Sequence, residues 1–170
     1  MKNILTLNPD NIGEEAAKNL KPRLAVRGIV FDQDKNVAVL PVLKHGYYKL
    51  PGGGIEEGED IRAAFSRECM EEIGSDVEVL GEIGLIIEYR TKFSMIQTSY
   101  CYICKAVGER RGAAFTEHEL DEGFEQAVWV PFEEAYKLIS TSNPDNYSGG
   151  FIKERDTAIL EATRRQINSI

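Results

Sequence analysis

No apolar stretch of the 170-residue sequence reaches the roughly 20 residues that a membrane-spanning helix needs. The first eleven residues, MKNILTLNPDN, also lack the apolar core of a signal peptide. Positive charge is scarce too, because 20 lysines and arginines stand against 28 acidic residues, for a formal net charge of −8. This balance argues against non-specific binding to nucleic-acid backbones or anionic membranes. We therefore expect a cytoplasmic protein that acts on a small molecule, with neither nucleic acid nor membrane as its partner.

Cysteine is rare as well, with three residues at Cys69, Cys101 and Cys104, and an odd number predicts no disulfide framework. Cys101 and Cys104 form a CxxC pair, which is open to a redox or a zinc interpretation. There is no second CxxC, and His45 and His118 do not follow zinc-finger spacing. The pair also lies in a strand-like run without the helix start that lowers a thiol pKa. We expect the two cysteines to be small buried side chains on opposite faces of a sheet.

The composition, 42% hydrophobic and 28% charged, is that of a globular protein, and the length predicts one domain over residues 1–170. Residues 1–20 are expected to form an N-terminal arm or short helix, and residues 150–170 a C-terminal helix. A loop is predicted at 109–123 and a helix after Pro131. Strands are predicted at 24–31, 36–43, 77–89, 94–107 and 127–130. Strands interleaved with a few helices favour an α/β or α+β sandwich.

The most informative segment, residues 53–75, contains seven acidic residues in 23 positions. Glu68, Glu71 and Glu72 fall within little more than one helical turn, where like charges repel one another. A chain does not need this arrangement in order to fold. A hard divalent cation such as Mg²⁺ or Mn²⁺ would turn the repulsion into coordination.

A helix is predicted from Asp60 to Ile73, with Gly74 as its C-terminal stop. Its apolar stripe has a spacing of four residues and consists of Ile61, Phe65, Cys69 and Ile73. At about 100° per residue, Glu72 lies at the edge of this stripe, Glu68 just outside it and Glu71 further round. One edge of the helix is therefore expected to pack on a core while the next presents carboxylates to a cleft.

The glycines before this helix have a chemical interpretation of their own. Gly52, Gly53 and Gly54 allow the backbone to approach a phosphate or a metal closely, and a free glycine carbonyl is a metal ligand. The residues that follow are acidic rather than the Lys-Ser/Thr of a P-loop, so the metal must carry the positive charge. We predict that these glycines bind substrate together with Arg27, which lies on a sheet face. A solvent-facing arginine is the alternative at that position.

The carboxylates have predicted roles in catalysis. Metal ions bound by Glu71 and Glu72 would neutralise a pyrophosphate and lower the pKa of a bound water. Glu68, one turn earlier, is placed to accept that proton or to complete the metal shell. Arg67 precedes Glu71 by four residues and is expected to orient it through a charge-assisted hydrogen bond.

The spacing Gly53, five residues, Glu59, seven residues, Arg67 resembles the Nudix box of the Nudix hydrolase family. All seven fixed positions of that box are filled here, by Gly53, Glu59, Arg67, Glu68, Glu71, Glu72 and Gly74. Cys69 and Ser75 depart from the aliphatic residues common at their positions, and neither change affects the carboxylates. The resemblance covers residues 24–140.

The resemblance implies an α/β fold: a Nudix-type α/β/α sandwich with a mixed central sheet and a catalytic loop–helix–loop. It implies Mg²⁺-dependent cleavage of a nucleoside diphosphate linked to X, with Mn²⁺ as an alternative metal. The Gly53 carbonyl, Glu68, Glu71 and Glu72 would be metal ligands, with Glu68 a ligand or general base. An acidic residue from a later loop often joins such sites, and Glu119 and Glu122 are preferred here. The resemblance also makes a homodimer possible.

The substrate is less defined than the reaction. The proline found some fifteen residues past the box in many ADP-ribose hydrolases is absent, since the chain reads Tyr89-Arg90-Thr91 there. A (deoxy)nucleoside triphosphate is therefore preferred, with ADP-ribose or a nucleotide sugar as the alternative. A non-catalytic nucleotide-sensing or protein-binding module is the rival from another class. Such modules usually lose box carboxylates, and none is lost here.

Overall fold

The computed structural model describes residues 1–167. The strands are β1 (Asn3–Leu7), β2 (Lys21–Phe31), β3 (Val37–Val42), β4 (Tyr47–Lys49), β5 (Asp76–Arg90), β6 (Met95–Val107) and β7 (Val128–Val130). The helices are α1 (Glu14–Ala17), α2 (Ile61–Ile73), α3 (Glu117–Asp121), α4 (Phe132–Ser140) and α5 (Tyr147–Ile167). The predicted strands and the predicted helix over residues 60–73 are confirmed, with small differences at their ends.

The strands form one mixed sheet in the order β1-β5-β6-β2-β3-β4, with β7 paired to β3. β1 runs parallel to β5, and β2 runs parallel to β6 along its whole length. The β5–β6, β3–β4 and β3–β7 pairs are antiparallel. The sheet therefore has the mixed character expected from the sequence.

Two apolar clusters cover the two faces of this sheet. On one face, Phe65 and Cys69 of α2 pack with Val26 and Cys104. On the other, α4 and α5 pack against a cluster that contains Ile29 and Cys101. This is the expected α/β/α sandwich, and Cys101 and Cys104 are buried on opposite faces as predicted. Burial raises the pKa of each of these two thiols to about 12, so neither is a thiolate near neutral pH.

Three expectations about local structure need revision. Residues 1–20 contain the short helix α1, but they also contain β1, which pairs with β5 and was not predicted. The predicted loop at 109–123 includes the short helix α3, which begins at the Thr116 capping box. The C-terminal helix starts at Tyr147, earlier than predicted, and its predicted residues 168–170 lie outside the described residues. No helix within residues 1–167 combines the length and apolar character required to cross a bilayer.

Candidate active site

Helix α2 places three glutamates in three different environments. It begins at Asp60, whose side chain accepts from the backbone N–H groups of the first turn, and ends at Gly74 with a φ of 62°. Because its apolar side packs on the sheet, the neighbouring positions are buried to different degrees. The Glu72 side chain is 1% exposed, that of Glu68 10% and that of Glu71 36%. This is the order that the helical spacing predicts.

The glycine loop lies directly beside these carboxylates. It runs along the edge of β2, where the Val26 N–H donates to the Gly53 carbonyl at 3.0 Å. Gly52 has a φ of 129°, and a Cβ there would overlap the Val26 carbonyl oxygen. A Cβ at Gly53 would overlap both carboxylate oxygens of Glu68. The β2 backbone therefore excludes a Cβ at Gly52, whereas a Cβ at Gly53 would require the Glu68 carboxylate to move.

Glu72 forms a buried ion pair where the glycine loop meets α2. One carboxylate oxygen accepts from the Lys49 ammonium and the other from the Gly52 N–H at 2.7 Å. The Lys49 side chain is 5% exposed and lies 4.7 Å from the centre of the Phe124 ring. Burial raises the pKa of Glu72 above its ordinary value, while the charge of Lys49 opposes that shift.

Arg67 connects the loop to the helix. Its guanidinium donates to Glu59 at 2.9 and 3.0 Å, to Glu68 at 2.9 Å and to the Gly54 carbonyl at 3.0 Å. A longer contact of 3.3 Å reaches Glu71, the residue that Arg67 was expected to orient. Arg67 therefore holds two of the predicted functional carboxylates and the loop backbone in one arrangement.

The carboxylates open into a cleft made of two adjoining cavities, of about 270 and 420 Å³. The smaller cavity is lined by Gly52–Gly54, Glu68, Glu72 and Glu119 among others, and the larger one by Glu122. Arg27 lines both cavities and is 7% exposed, so the solvent-facing alternative for this residue is wrong. Glu71 lines neither cavity. The Glu119 carboxylate, although in the cleft, accepts from Thr116 as part of the α3 cap.

The oxygen donors at this site suit a hard divalent cation, although they are engaged by protein groups here. The Gly53 carbonyl, expected to be free, accepts from Val26, which leaves one lone pair. Among residues 1–167, no three His, Cys, Asp or Glu side chains already form a group that would hold a metal. Glu68 lies against Gly53 and Glu72 accepts from the Gly52 N–H, so both carboxylates meet the glycine loop in the cleft. These oxygen donors are of the type that Mg²⁺ and Mn²⁺ prefer, and Glu72 would have to release Lys49 to hold either ion.

Sequence reasoning did not find Lys49, Arg23 or Arg155, which line the same cleft. Lys49 offered a weak signal, as a lone charge between strand residues and the glycines. Arg155 offered a stronger one, because it lies four residues from both Phe151 and Ile159. An arginine inside the apolar stripe of a helix needs a buried partner or a ligand.

The chain matches the sequence model of the NUDIX domain over residues 21–148. It is 27% identical over 136 residues to Nudix hydrolase 10 of Arabidopsis thaliana, an alignment that covers 80% of this chain and 45% of that protein. The chain thus spans about half the length of the curated relative that it matches.

Solved structures show the same fold. A NUDIX hydrolase from Nitrosomonas europaea has a TM-score of 0.64 at 17% identity, covering 86% of this chain and 90% of that chain. An ADP-ribose pyrophosphatase from Streptococcus suis 89-1591 has a TM-score of 0.52 at 19% identity, covering 85% and 93%. Together with the filled box on α2 and its glycine loop, and with a match that extends from β2 to the start of α5, these similarities establish that the chain belongs to the Nudix family.

Proposed function

We propose that this chain hydrolyses the pyrophosphate bond of a nucleoside diphosphate linked to a group X. The observation that carries the proposal is the contact between the glycine loop and α2. There, Glu68 and Glu72 meet loop backbone that has no Cβ, in a cleft also lined by Arg27. Carboxylates, close backbone and guanidinium groups around one cleft suit a metal-bound pyrophosphate.

Members of this family generally use divalent metal ions, and the donors present favour Mg²⁺, with Mn²⁺ as an alternative. Glu68, Glu72, Glu71 and the Gly53 carbonyl would hold the metal. When bound, it would neutralise phosphate charge and lower the pKa of a water. Glu119, which lies in the cleft with Glu68, is the better supported of the two later acidic residues, because Glu122 lines only the outer cavity.

The chain's own groups do the remaining work. The Glu68 carboxylate is held by Arg67 at 2.9 Å and is the group placed to accept a proton from an attacking water. Arg67 also fixes the loop, so that Glu68 and the phosphate-binding backbone keep their relative positions. Arg27 lines both cavities of the cleft and is placed to bind an anionic group of the substrate.

The preferred substrate is a (deoxy)nucleoside triphosphate or a related nucleotide derivative. The second candidate is ADP-ribose or a nucleotide sugar, and the similarity to the Streptococcus suis ADP-ribose pyrophosphatase favours it. The absence of the proline near Tyr89 favours the first. X is a charged phosphate in a nucleoside triphosphate, whereas in ADP-ribose and many nucleotide sugars X is an uncharged sugar.

The test is a hydrolysis panel of triphosphates, nucleotide sugars and ADP-ribose, each with Mg²⁺ and with EDTA. Glu68→Gln should reduce kcat by about 100-fold or more, since a general base contributes roughly that much. Glu57→Gln is the matched control, because Glu57 lies in the same acidic segment and is exposed. Absence of Mg²⁺-dependent hydrolysis across the panel would reject the proposal in favour of a non-catalytic module, whereas equal loss in both variants would reject the role of Glu68.

A further inference from the structure

Four arginines gather between the sheet and α5, at the outer part of the cleft. We call this set the arginine cluster; it consists of Arg23, Arg27, Arg90 and Arg155, all of which line the larger cavity. They come from three separate elements, β2, β5 and α5. In a chain with a net charge of −8, such a concentration of positive charge requires a local reason.

The carboxylates within the cluster account for only part of this charge. Glu88 accepts from Arg90 at 2.7 Å, and Asp156 accepts from the Arg155 Nε at 2.6 Å. Asp156 also accepts from the Leu50 N–H at 2.8 Å, which ties α5 to the glycine loop. These two acids are therefore occupied by Arg90 and by one edge of Arg155.

The other two arginines have only neutral hydrogen-bond partners. Arg23 donates to the side-chain oxygen of Gln97, and Arg27 donates to the Val26 carbonyl at 2.9 Å. Within residues 1–167, no carboxylate oxygen lies within 4.0 Å of a guanidinium nitrogen of Arg23 or Arg27. Two positive charges in the cleft thus lack an ionic partner in the protein.

Several buried donors of the cluster also lack any partner. The Arg27 Nε and both terminal nitrogens of Arg155 make no hydrogen bond among the described residues. The nearest acid, Glu88, lies 4.0 Å from the Arg155 Nη1, too far for a hydrogen bond. A fully buried guanidinium with two open nitrogens presents the fork geometry that binds one phosphate or carboxylate with two parallel hydrogen bonds.

Protein stability alone does not explain Arg27. Burying a charge without an ionic partner is unfavourable, and burial, followed by the repulsion from Arg155, lowers the pKa of Arg27 to about 10. A purely structural role would favour an apolar or amide side chain at this position. An anionic ligand, by contrast, would bring the missing acceptors and the missing negative charge together.

We propose that the arginine cluster binds an anionic group of the substrate, a phosphate or a carboxylate, that is separate from the pyrophosphate being cleaved. The scissile bond is assigned to the smaller cavity beside Glu68. Arg23, Arg27 and Arg155 line both cavities and Arg90 lines only the larger one, so the cluster continues from the scissile bond into the larger cavity. This inference rests on the proposed function for the place of the scissile bond. It names the substrate class: nucleoside diphosphates whose X group carries its own negative charge.

The first experiment measures anion binding without catalysis. Inorganic phosphate is titrated in EDTA at constant ionic strength with chloride, and binding is followed by calorimetry and by the thermal unfolding midpoint. Arg27→Gln and Arg23→Gln should each weaken phosphate binding roughly 10- to 100-fold, the effect of losing one hydrogen bond to a charged group. Arg111→Gln is the matched control, because Arg111 is exposed and lies outside the cleft; it should bind phosphate like the wild type.

Stability provides a readout that separates ligand binding from a structural role. Arg27→Gln should keep or raise the unfolding midpoint without phosphate, because it removes a buried unpaired charge. A clear fall in that midpoint, or equal phosphate binding by the wild type, Arg27→Gln and Arg111→Gln, would overturn the inference. Arg155 is avoided in this test because its loss would leave Asp156 buried without its partner.

The second experiment compares matched substrates. A nucleoside triphosphate tests a phosphate X, UDP-glucuronate tests a carboxylate on X, and UDP-glucose has the same hexose without the charge. Arg27→Gln should lower kcat/KM for the charged substrates roughly 10- to 100-fold more than for UDP-glucose. An equal loss for all three would overturn the inference, since the cluster would then bind the scissile pyrophosphate itself. If the wild type hydrolyses none of these and nothing in the wider panel with ADP-ribose, the proposed function fails while the phosphate titration still decides this inference.

Discussion

The buried pair of Lys49 and Glu72 gives the sharpest test of the site, through the substitution Lys49→Met. Methionine keeps most of the length and volume of the lysine side chain, so the change removes charge without opening a large cavity. It leaves the Glu72 carboxylate, 1% exposed, with the Gly52 N–H as its remaining hydrogen-bond donor. Removing one partner of a buried ion pair costs about 3–5 kcal/mol.

Protonation of Glu72 sets an upper limit to that cost. Neutralising a carboxyl group with an ordinary pKa of about 4.3 at pH 7 costs about 3.7 kcal/mol, at 1.36 kcal/mol per pKa unit. Burial already raises the pKa of Glu72, so the protonated form is accessible once Lys49 is gone. We therefore expect Lys49→Met to reduce the free energy of unfolding at pH 7 by about 3–4 kcal/mol in EDTA.

The assay is urea unfolding of four proteins: the wild type, Lys49→Met, Lys49→Met/Glu72→Met, and Lys105→Met as an exposed-lysine control. The double variant should recover most of the loss, because apolar residues replace the pair on both sides. Saturating Mg²⁺ should stabilise Lys49→Met, by about 2.7 kcal/mol at 100 times its Kd, and leave the double variant unchanged. If the free energy of unfolding of Lys49→Met in EDTA is within about 0.5 kcal/mol of the wild-type value, the reasoning is refuted. Equal stabilisation of both variants by Mg²⁺ would show that Glu72 is not a ligand of the cation.

Three further predictions concern the glycine loop and Glu88, the acid that contacts the arginine cluster. Gly52→Ala should destabilise the protein by at least about 1–3 kcal/mol, because alanine is strained at a φ of 129°. Gly53→Ala should instead displace Glu68 and lower kcat about 100-fold. Unfolding and steady-state kinetics on both variants separate the two effects, and a fully active Gly53→Ala enzyme would contradict the second prediction. Burial opposes the charged form of Glu88, but Arg155 and a second arginine hold its pKa below the ordinary value. Since the folded pKa lies below the unfolded one, the stabilisation is present at pH 7 and is lost as the pH falls below about 4. Glu88→Gln should therefore be less stable than the wild type at pH 7 and lose less stability down to pH 3, and parallel stability–pH curves would count against this assignment.

The helix and its carboxylates were predictable because their signals are local. A spacing of four residues determines which side of α2 is apolar, and the angular distance from that side determines how deeply each glutamate lies. Glu72, Glu68 and Glu71 follow the predicted order of burial. The link from Arg67 to Glu71 was also predictable, since residues four apart on a helix are neighbours.

The groups that surround these carboxylates were not predictable in the same way. Lys49 meets Glu72 only because the short strand β4 ends beside α2, and no pattern within either segment encodes that contact. β1 gave no signal for a similar reason: it has five residues, and its pairing with β5 joins segments about 80 residues apart. Long-range pairing depends on the whole sheet, whereas hydrophobic periodicity reports only on neighbours.

Arg155 shows how the difference between local signals and long-range contacts affects substrate specificity. The family match ends at residue 148, so the segment of α5 that carries Arg155 and Asp156 lies outside it. The box and the glycine loop lie within the matched region and carry the residues proposed to hold the metal. The open guanidinium donors of Arg155, which complete the arginine cluster, come instead from a part of the chain that the family pattern does not constrain. If the arginine cluster binds the charge on X, the choice of substrate depends on Arg155 of α5 together with the arginines of β2 and β5, and it has to be measured on this chain.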